Sequence, residues 1–207
     1  MVLLVSDIDK SDGFEQEIPK EFICDVIGGE VFLYKGWREA MKNQKTKQEI
    51  MGCSGMQAKI LYLIERFFFK TLDDEDYILL GNEVGIKTDK SDLFSLDKAV
   101  FSNQDLPEEK ITRGFVDVPP LVVFEVDVNV DTGEESVMHY VSKKVQALLD
   151  FGVEKVIWIF GVNEKIIIAE IGKQWVISNW NEDIDVIDGH ILNLEKLNSK
   201  SPKSKKV

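Results

Sequence analysis

Residues 119–160, PPLVVFEVDVNVDTGEESVMHYVSKKVQALLDFGVEKVIWIF, constrain the fold more than any other part of the chain. Residues 121–130 are dominated by Val and Phe with no turn residue before Asn129, so their length and β-branched content favour a largely buried strand. Residues 137–151 change to helical periodicity, and Gly152 stands where a helix C-terminus is expected. Residues 156–160 are again short, aromatic and β-branched. Strand, helix, strand in that order is a βαβ unit, normally parallel and right-handed.

Two charges sit in apolar positions of this unit. Glu125 lies inside the strand, and Lys144 falls at the edge of the helix side formed by Val137, Val141, Val145 and Leu148, whereas Lys143 points nearly opposite. A carboxylate and an ammonium directed at a sheet cost several kilocalories if unpaired, so they should meet each other, a metal or a substrate. A buried structural ion pair with a snorkelling lysine and a functional site are both open readings of these two residues.

With 207 residues the chain is long enough for one domain with a substantial core. The start, MVLLVSDIDK, lacks the basic flank and cleavage region of a signal peptide, and the expected location is cytoplasmic. Cys24 and Cys53, with only His139 and His190 beside them, form neither a zinc pattern nor a disulfide framework and read as reduced packing residues. A net charge of −12 argues against tight non-specific binding to DNA, which normally requires a basic face. Residues 198–207 are the exception: rich in Lys and Ser, they read as a disordered basic tail, solubilising or a nucleic-acid arm.

Residues 1–20 read as an irregular arm and 21–197 as the domain. Residues 22–26 and 31–34 flank Gly28-Gly29, a pair suited to a tight hairpin. Residues 37–50 are polar and rich in Lys and Gln. Residues 56–70 have helical spacing, with Ile60, Leu61, Ile64, Phe67 and Phe68 as the core face. Residues 77–80 and 84–87 read as two short strands around Gly81, a further strand begins at 92–96, and 97–117 read as a loop or short helix. Strands are expected over 166–171 and 174–179, with apolar pieces at 184–187 and 191–197 closing the domain. Gly28-Gly29 precedes a strand, not a helix N-terminus, so no phosphate-cradling loop is expected there.

This order of elements resembles the PD-(D/E)XK, or restriction-endonuclease-like, superfamily. Within it the chain is similar to a family of small proteins read as restriction endonucleases and long catalogued as a domain of unknown function. The hairpin Cys24-Asp25-Val26-Ile27-Gly28-Gly29-Glu30 matches that family's Glu-Leu-Ile-Asp-Gly-Glu segment, and Ser91-Asp92-Leu93 its Pro-Asp-Val segment. Pro119 through Val126 match Pro-Pro-Asp-Leu-x-x-Glu-Val. Lys144 through Trp158 match a lysine, a helix ending in Gly-Val, an acidic residue and an aromatic-rich strand.

The resemblance implies an α/β (α+β) fold, a mixed central sheet flanked by helices with an N-terminal β-hairpin. It also implies a phosphodiesterase dependent on Mg²⁺ or Mn²⁺, acting on DNA as a homodimer, with Asp92, Glu125 and Lys144 as catalytic residues. Asp92, Glu125, the Val126 carbonyl and Asp127 would hold the ion; Asp127 stands where the superfamily usually has its lysine, a position that period-two alternation puts on the strand face of Glu125. Gln57 is an accessory site residue or a surface glutamine. The competing expectation is a catalytically degenerate member acting as a binding or assembly module.

Overall fold

The computed structural model describes residues 18–88, 92–127, 130–132 and 136–199. Most of the expected arm and tail, and Ser91 of the proposed Pro-Asp-Val match, lie outside these residues. A 3-10 turn over Lys20–Phe22 leads into the hairpin of β1 (Ile23–Ile27) and β2 (Glu30–Tyr34). Gly28 and Gly29 have φ of 58° and 80°, the left-handed pair that a two-residue hairpin turn demands. Two short helices follow, α1 (Trp37–Met41) and α2 (Lys47–Met51), the second opened by a capping box between Thr46 and Glu49. Helix α3 (Gly55–Thr71) starts at Ser54, whose side chain accepts the Gln57 N–H. It buries Ile60, Leu63, Ile64, Phe67 and Phe68, so Leu63 joins the expected face and Leu61 is half-buried beside it.

Strands β3 (Tyr77–Lys87) and β4 (Leu93–Ser102) form a long antiparallel pair, and a 3-10 turn over Glu108–Lys110 leads toward β5 (Val122–Val126). The remainder is β6 (Val130–Asp131), α4 (Val137–Phe151), β7 (Lys155–Phe160), β8 (Lys165–Glu170), β9 (Val176–Asn179), the hairpin β10 (Ile184–Ile187) and β11 (His190–Leu192), and α5 (Leu194–Ser199). The βαβ unit is present: α4 ends at Gly152 with φ 117°, and β5 and β7 run parallel.

Among the described residues nine strands form one mixed, mostly antiparallel sheet in the order β6-β2-β1-β4-β5-β7-β8-β9, with β3 on the other edge of β4. The sheet forks at β4. One edge of β4 pairs with β3 throughout, while the opposite edge takes β1 at Leu93 and β5 only from Lys98 to Val100. Helix α4 covers one face and α3 with the β10–β11 hairpin covers the other. Val123 packs in the α4 layer with Val141, Val145 and Leu148, whereas Val122, Phe124 and Val126 pack against Ile60, Ile64 and Phe68. Burial on both faces is why β5 reads as a continuous apolar run. No helix among the described residues is long and apolar enough to cross a membrane.

Five local expectations are corrected. The buried strand stops at Val126, because Asp127 adopts φ 58°, and Val130–Asp131 instead pairs with β2 at the far end of the sheet. Residues 77–87 form one strand carrying a bulge at Asn82-Glu83, not two strands around Gly81. Strand β4 continues through Asp97 to Ser102, where a loop or short helix was expected. Val137 is exposed at the start of α4, and Cys53 is exposed in the turn before α3, so neither is a packing residue.

Candidate active site

The notch in the edge of β4 is filled by side chains. Between Leu93 and Lys98 this edge has no ladder partner among the described residues, and three polar side chains serve the backbone there instead. Ser95 N–H donates to Asp25 Oδ1 at 2.9 Å, and Lys144 Nζ donates to the Ser95 carbonyl at 2.9 Å. Asp97 Oδ2 accepts the Val126 N–H at 2.8 Å. A register shift in β1 between Ile23 and Asp25 re-aims Asp25 into the notch.

Lys144 is the centre of this group. Its ammonium lies 3.1 Å from Asp25 Oδ2 and 3.2 Å from Glu125 Oε2, so its three protons all meet acceptors once the Ser95 carbonyl is included. Lys144 is 1% exposed and Glu125 6%. Burial pulls the Lys144 ammonium down, but Asp25 and then Glu125 outweigh it and hold the group well above the ordinary lysine value. Burial pushes Glu125 up to about 8 against the pull of Lys144, with Asp97 and Asp25 adding to the rise. Tyr140 donates its hydroxyl to Asp25 Oδ2, completing the buried network, and Lys143 pairs with Glu30 at the surface.

Asp97 is the carboxylate that meets Glu125 in this cavity. Burial raises its pKa, opposed by the Val126 N–H, Lys144 and Gln57. The Gln57 amide, in the first turn of α3, lies 3.3 Å from Asp97 Oδ1. Asn82 and Glu83, with φ of 64° and 58°, are the two bulged residues of β3 that stand opposite Asp97. Glu83 is raised by burial and then by Asp97. These residues, with Asp127, Tyr140 and Trp158, line a cavity of about 380 Å³.

Asp92 does not join Glu125. It lies five residues before Asp97 along the chain, roughly 16 Å at about 3.3 Å per residue. Its Oδ1 accepts the Gly28 N–H at 2.7 Å at the hairpin turn, beside a second cavity of about 290 Å³ that Thr88 and Lys143 also line. Asp127 does not continue the strand face of Glu125 either: its left-handed backbone turns the carboxylate to accept the Gly161 N–H at 2.6 Å, while its carbonyl accepts from Trp158 Nε1. The side chain of Val126 belongs to the α3 layer.

Asp25, Glu83 and Asp97 were not singled out in sequence. Asp97 had one signal: Asp97-Lys98 interrupts an apolar alternation that resumes at Ala99, with Phe94, Leu96, Ala99 and Phe101 all packing in the α4 layer. Two adjacent polar residues read as a turn, whereas they mark the point where β4 changes phase opposite the bulge.

The donor chemistry suits a hard cation. Asp25 and Glu125 flank one ammonium, Glu83 and Asp97 line the cavity beside it, and Glu125 Oε1 is buried with no hydrogen-bond partner among the described residues. Among the described residues no three His, Cys, Asp or Glu side chains converge as a complete ligand set. Mg²⁺ needs fewer, since it keeps waters and shares its shell with substrate phosphates.

No family model and no curated protein matches the chain. Among solved structures it is similar to the crystal structure of "a putative nuclease belonging to DUF820" from Anabaena variabilis, with a TM-score of 0.63 at 13% identity, over 84% of this chain and 89% of that one. The likeness shows the fold, a mixed sheet flanked by helices as in that nuclease-like neighbour.

Proposed function

We propose that the chain is a metal-dependent nuclease hydrolysing DNA phosphodiester bonds in the cavity between β4, β5 and α4. One observation carries this reading: Asp97 and Glu125 share a cavity beside a buried lysine, and Glu125 keeps Oε1 without a partner among the described residues. The Anabaena neighbour, called "a putative nuclease", supports it. Asp97, Glu125 and the Val126 carbonyl would hold Mg²⁺ or Mn²⁺, hard ions suited to oxygen donors. When bound, the ion would neutralise charge developing on the phosphate and lower the pKa of an attacking water.

The chain's own residues prepare that site. Val126 N–H and Gln57 fix the Asp97 carboxylate, and Lys144 fixes Glu125 through Oε2. The Lys144 ammonium also places positive charge where water is excluded, so it stabilises negative charge on a bound phosphate more than an exposed lysine would. If both strands of a duplex were cut, two such centres would be needed, as a homodimer would supply. Plasmid and labelled oligonucleotides incubated with Mg²⁺, Mn²⁺ or EDTA test the proposal, with strand breaks expected only when the ion is present.

A second reading rests on the same lysine. All three of its protons are taken by the chain's own acceptors, as in a purely structural ion-pair network, and this favours a degenerate nuclease fold that binds without cleaving. Calorimetric titration with Mn²⁺ separates the two readings, because a scaffold has no reason to retain a competent metal site.

A further inference from the structure

Residues 35–47, KGWREAMKNQKTK, carry Lys35, Arg38, Lys42, Lys45 and Lys47 against Glu39 alone, in a chain of net charge −12. The fold brings this segment to the mouth of the candidate site. Tyr34 immediately before it lines the cavity, and so do Met51 at the end of α2 and Gly52 and Cys53 just beyond it. Trp37 Nε1 and Arg38 Nη1 both donate to Asp131 Oδ2, at 2.9 and 2.6 Å, which latches α1 to β6. Val130 of β6 is itself part of the cavity wall. The four lysines are all exposed.

We propose that residues 35–47 form the docking surface for the sugar-phosphate backbone of a single nucleic-acid strand, one phosphodiester of which enters the cavity. The identity of the polymer rests on the nuclease reading. Among the described residues four acidic side chains, Glu83, Asp97, Glu125 and Asp127, line the cavity with one basic side chain, Lys144, so the cavity offers a polyanion no net attraction and an anchor outside it is required. The rest of the chain is acidic overall and the other basic stretch, residues 198–207, lies mostly outside the described residues, so among these the segment is a favourable approach for a backbone carrying one charge per nucleotide.

Lys45 and Lys47 pair with Glu39 and Glu21, but every one of these side chains is about half exposed. Such pairs are weak and exchange readily for phosphate. A cavity of about 380 Å³ is of small-ligand size, and a single strand can present one unit to it without unwinding.

The test is binding of fluorescein-labelled single-stranded and duplex 20-mers by anisotropy, in EDTA, across a salt series. Wild type is compared with a variant carrying Lys35→Gln, Lys42→Gln, Lys45→Gln and Lys47→Gln. A control carries Lys110→Gln, Lys165→Gln, Lys173→Gln and Lys196→Gln, and the circular dichroism of all three is compared. The proposal expects the first variant to lose at least roughly tenfold in affinity for the single strand, with the slope of log affinity against log salt reduced by about 0.7 per lysine removed. It expects the control to bind as wild type does.

No binding by wild type, equal losses in both variants, or preference for duplex overturns the proposal. So does lysine-dependent binding of anionic phospholipid vesicles without binding of the oligonucleotide. Absence of cleavage with either ion, while strand binding still depends on the four lysines, removes the nuclease reading and leaves the docking surface standing.

Discussion

Asp97 accepts the Val126 N–H at 2.8 Å, so one carboxylate of the cavity is tied to the strand that carries the other. The tie replaces a ladder hydrogen bond at the notch, and it sets the spacing of Asp97 and Glu125 through backbone geometry. A carboxylate held this way is preorganised. The same cannot be said of Asp92, whose carboxylate holds the hairpin turn at Gly28.

Asp97→Asn is therefore expected to abolish Mg²⁺-dependent strand cleavage while keeping the Val126 hydrogen bond through its amide oxygen. Asp92→Asn is expected to leave cleavage intact and cost about 1 kcal/mol of stability, the scale of one hydrogen bond at the turn. Cleavage rates and urea unfolding of the two variants check both outcomes. The reverse pattern would move the site to the hairpin.

Lys144→Met leaves Asp25 and Glu125 buried beside no cation, and removing one partner of a buried pair costs about 3–5 kcal/mol. Lys143→Met breaks only the partly exposed contact with Glu30, a change of about 0–1 kcal/mol. Adding Glu125→Gln to Lys144→Met should recover part of the loss. Denaturant midpoints for these variants, measured at one pH, test the ordering.

The raised carboxylates give the metal-free protein a distinctive pH response. Glu125 sits at about 8 when folded against an ordinary 4.5, and Asp97 is raised too, so the folded state holds protons that the unfolded chain releases. Their contribution is complete below the ordinary carboxylate range and is lost as pH rises toward 8. In EDTA the melting temperature should fall between pH 5.5 and 8.5. Millimolar Mn²⁺ should raise it more at pH 8 than at pH 5.5, where protons compete for the same oxygens. A melting temperature indifferent to Mn²⁺ at both values would favour the scaffold reading.

Glu83 holds φ 58°, a backbone conformation that costs a non-glycine residue about 1 kcal/mol or more. Glu83→Gly removes that strain and one carboxylate facing Asp97, so the metal-free protein should melt a few degrees higher in differential scanning calorimetry, about 2–4 °C for 1 kcal/mol in a chain of this size. Unchanged or lower melting would mean that Glu83 makes a compensating contact.

The sequence displayed elements with one dominant signal. The glycine pair between β1 and β2, the periodicity of α4 and the glycine at its end, and the double-sided burial of β5 each left a pattern that a short window can detect. Lys144 was legible because helical phase alone separates it from Lys143. Asp97 was hidden because its meaning depends on β3: only when Asn82 and Glu83 bulge outward can Asp97-Lys98 interrupt β4 without ending it. Asp127 misled for a related reason. Period-two alternation assumes extended backbone, and a left-handed residue breaks that assumption without any mark in composition. Asp25 owes its direction to a shift between β1 and β2 that no single strand records.

The forked edge of β4 has a consequence for how any mutational scan of this protein is interpreted. Asp25, Asp97 and Lys144 stitch the two arms of the sheet across the notch, so the groups with chemical potential are also the seam of the architecture. Truncation to alanine at any of them unpicks that seam, and a dead variant would report a widened fork as readily as a missing reagent. Amide and methionine replacements of matched shape are the informative comparisons. In a fold built this way, loss of chemistry tends to be accompanied by loss of form.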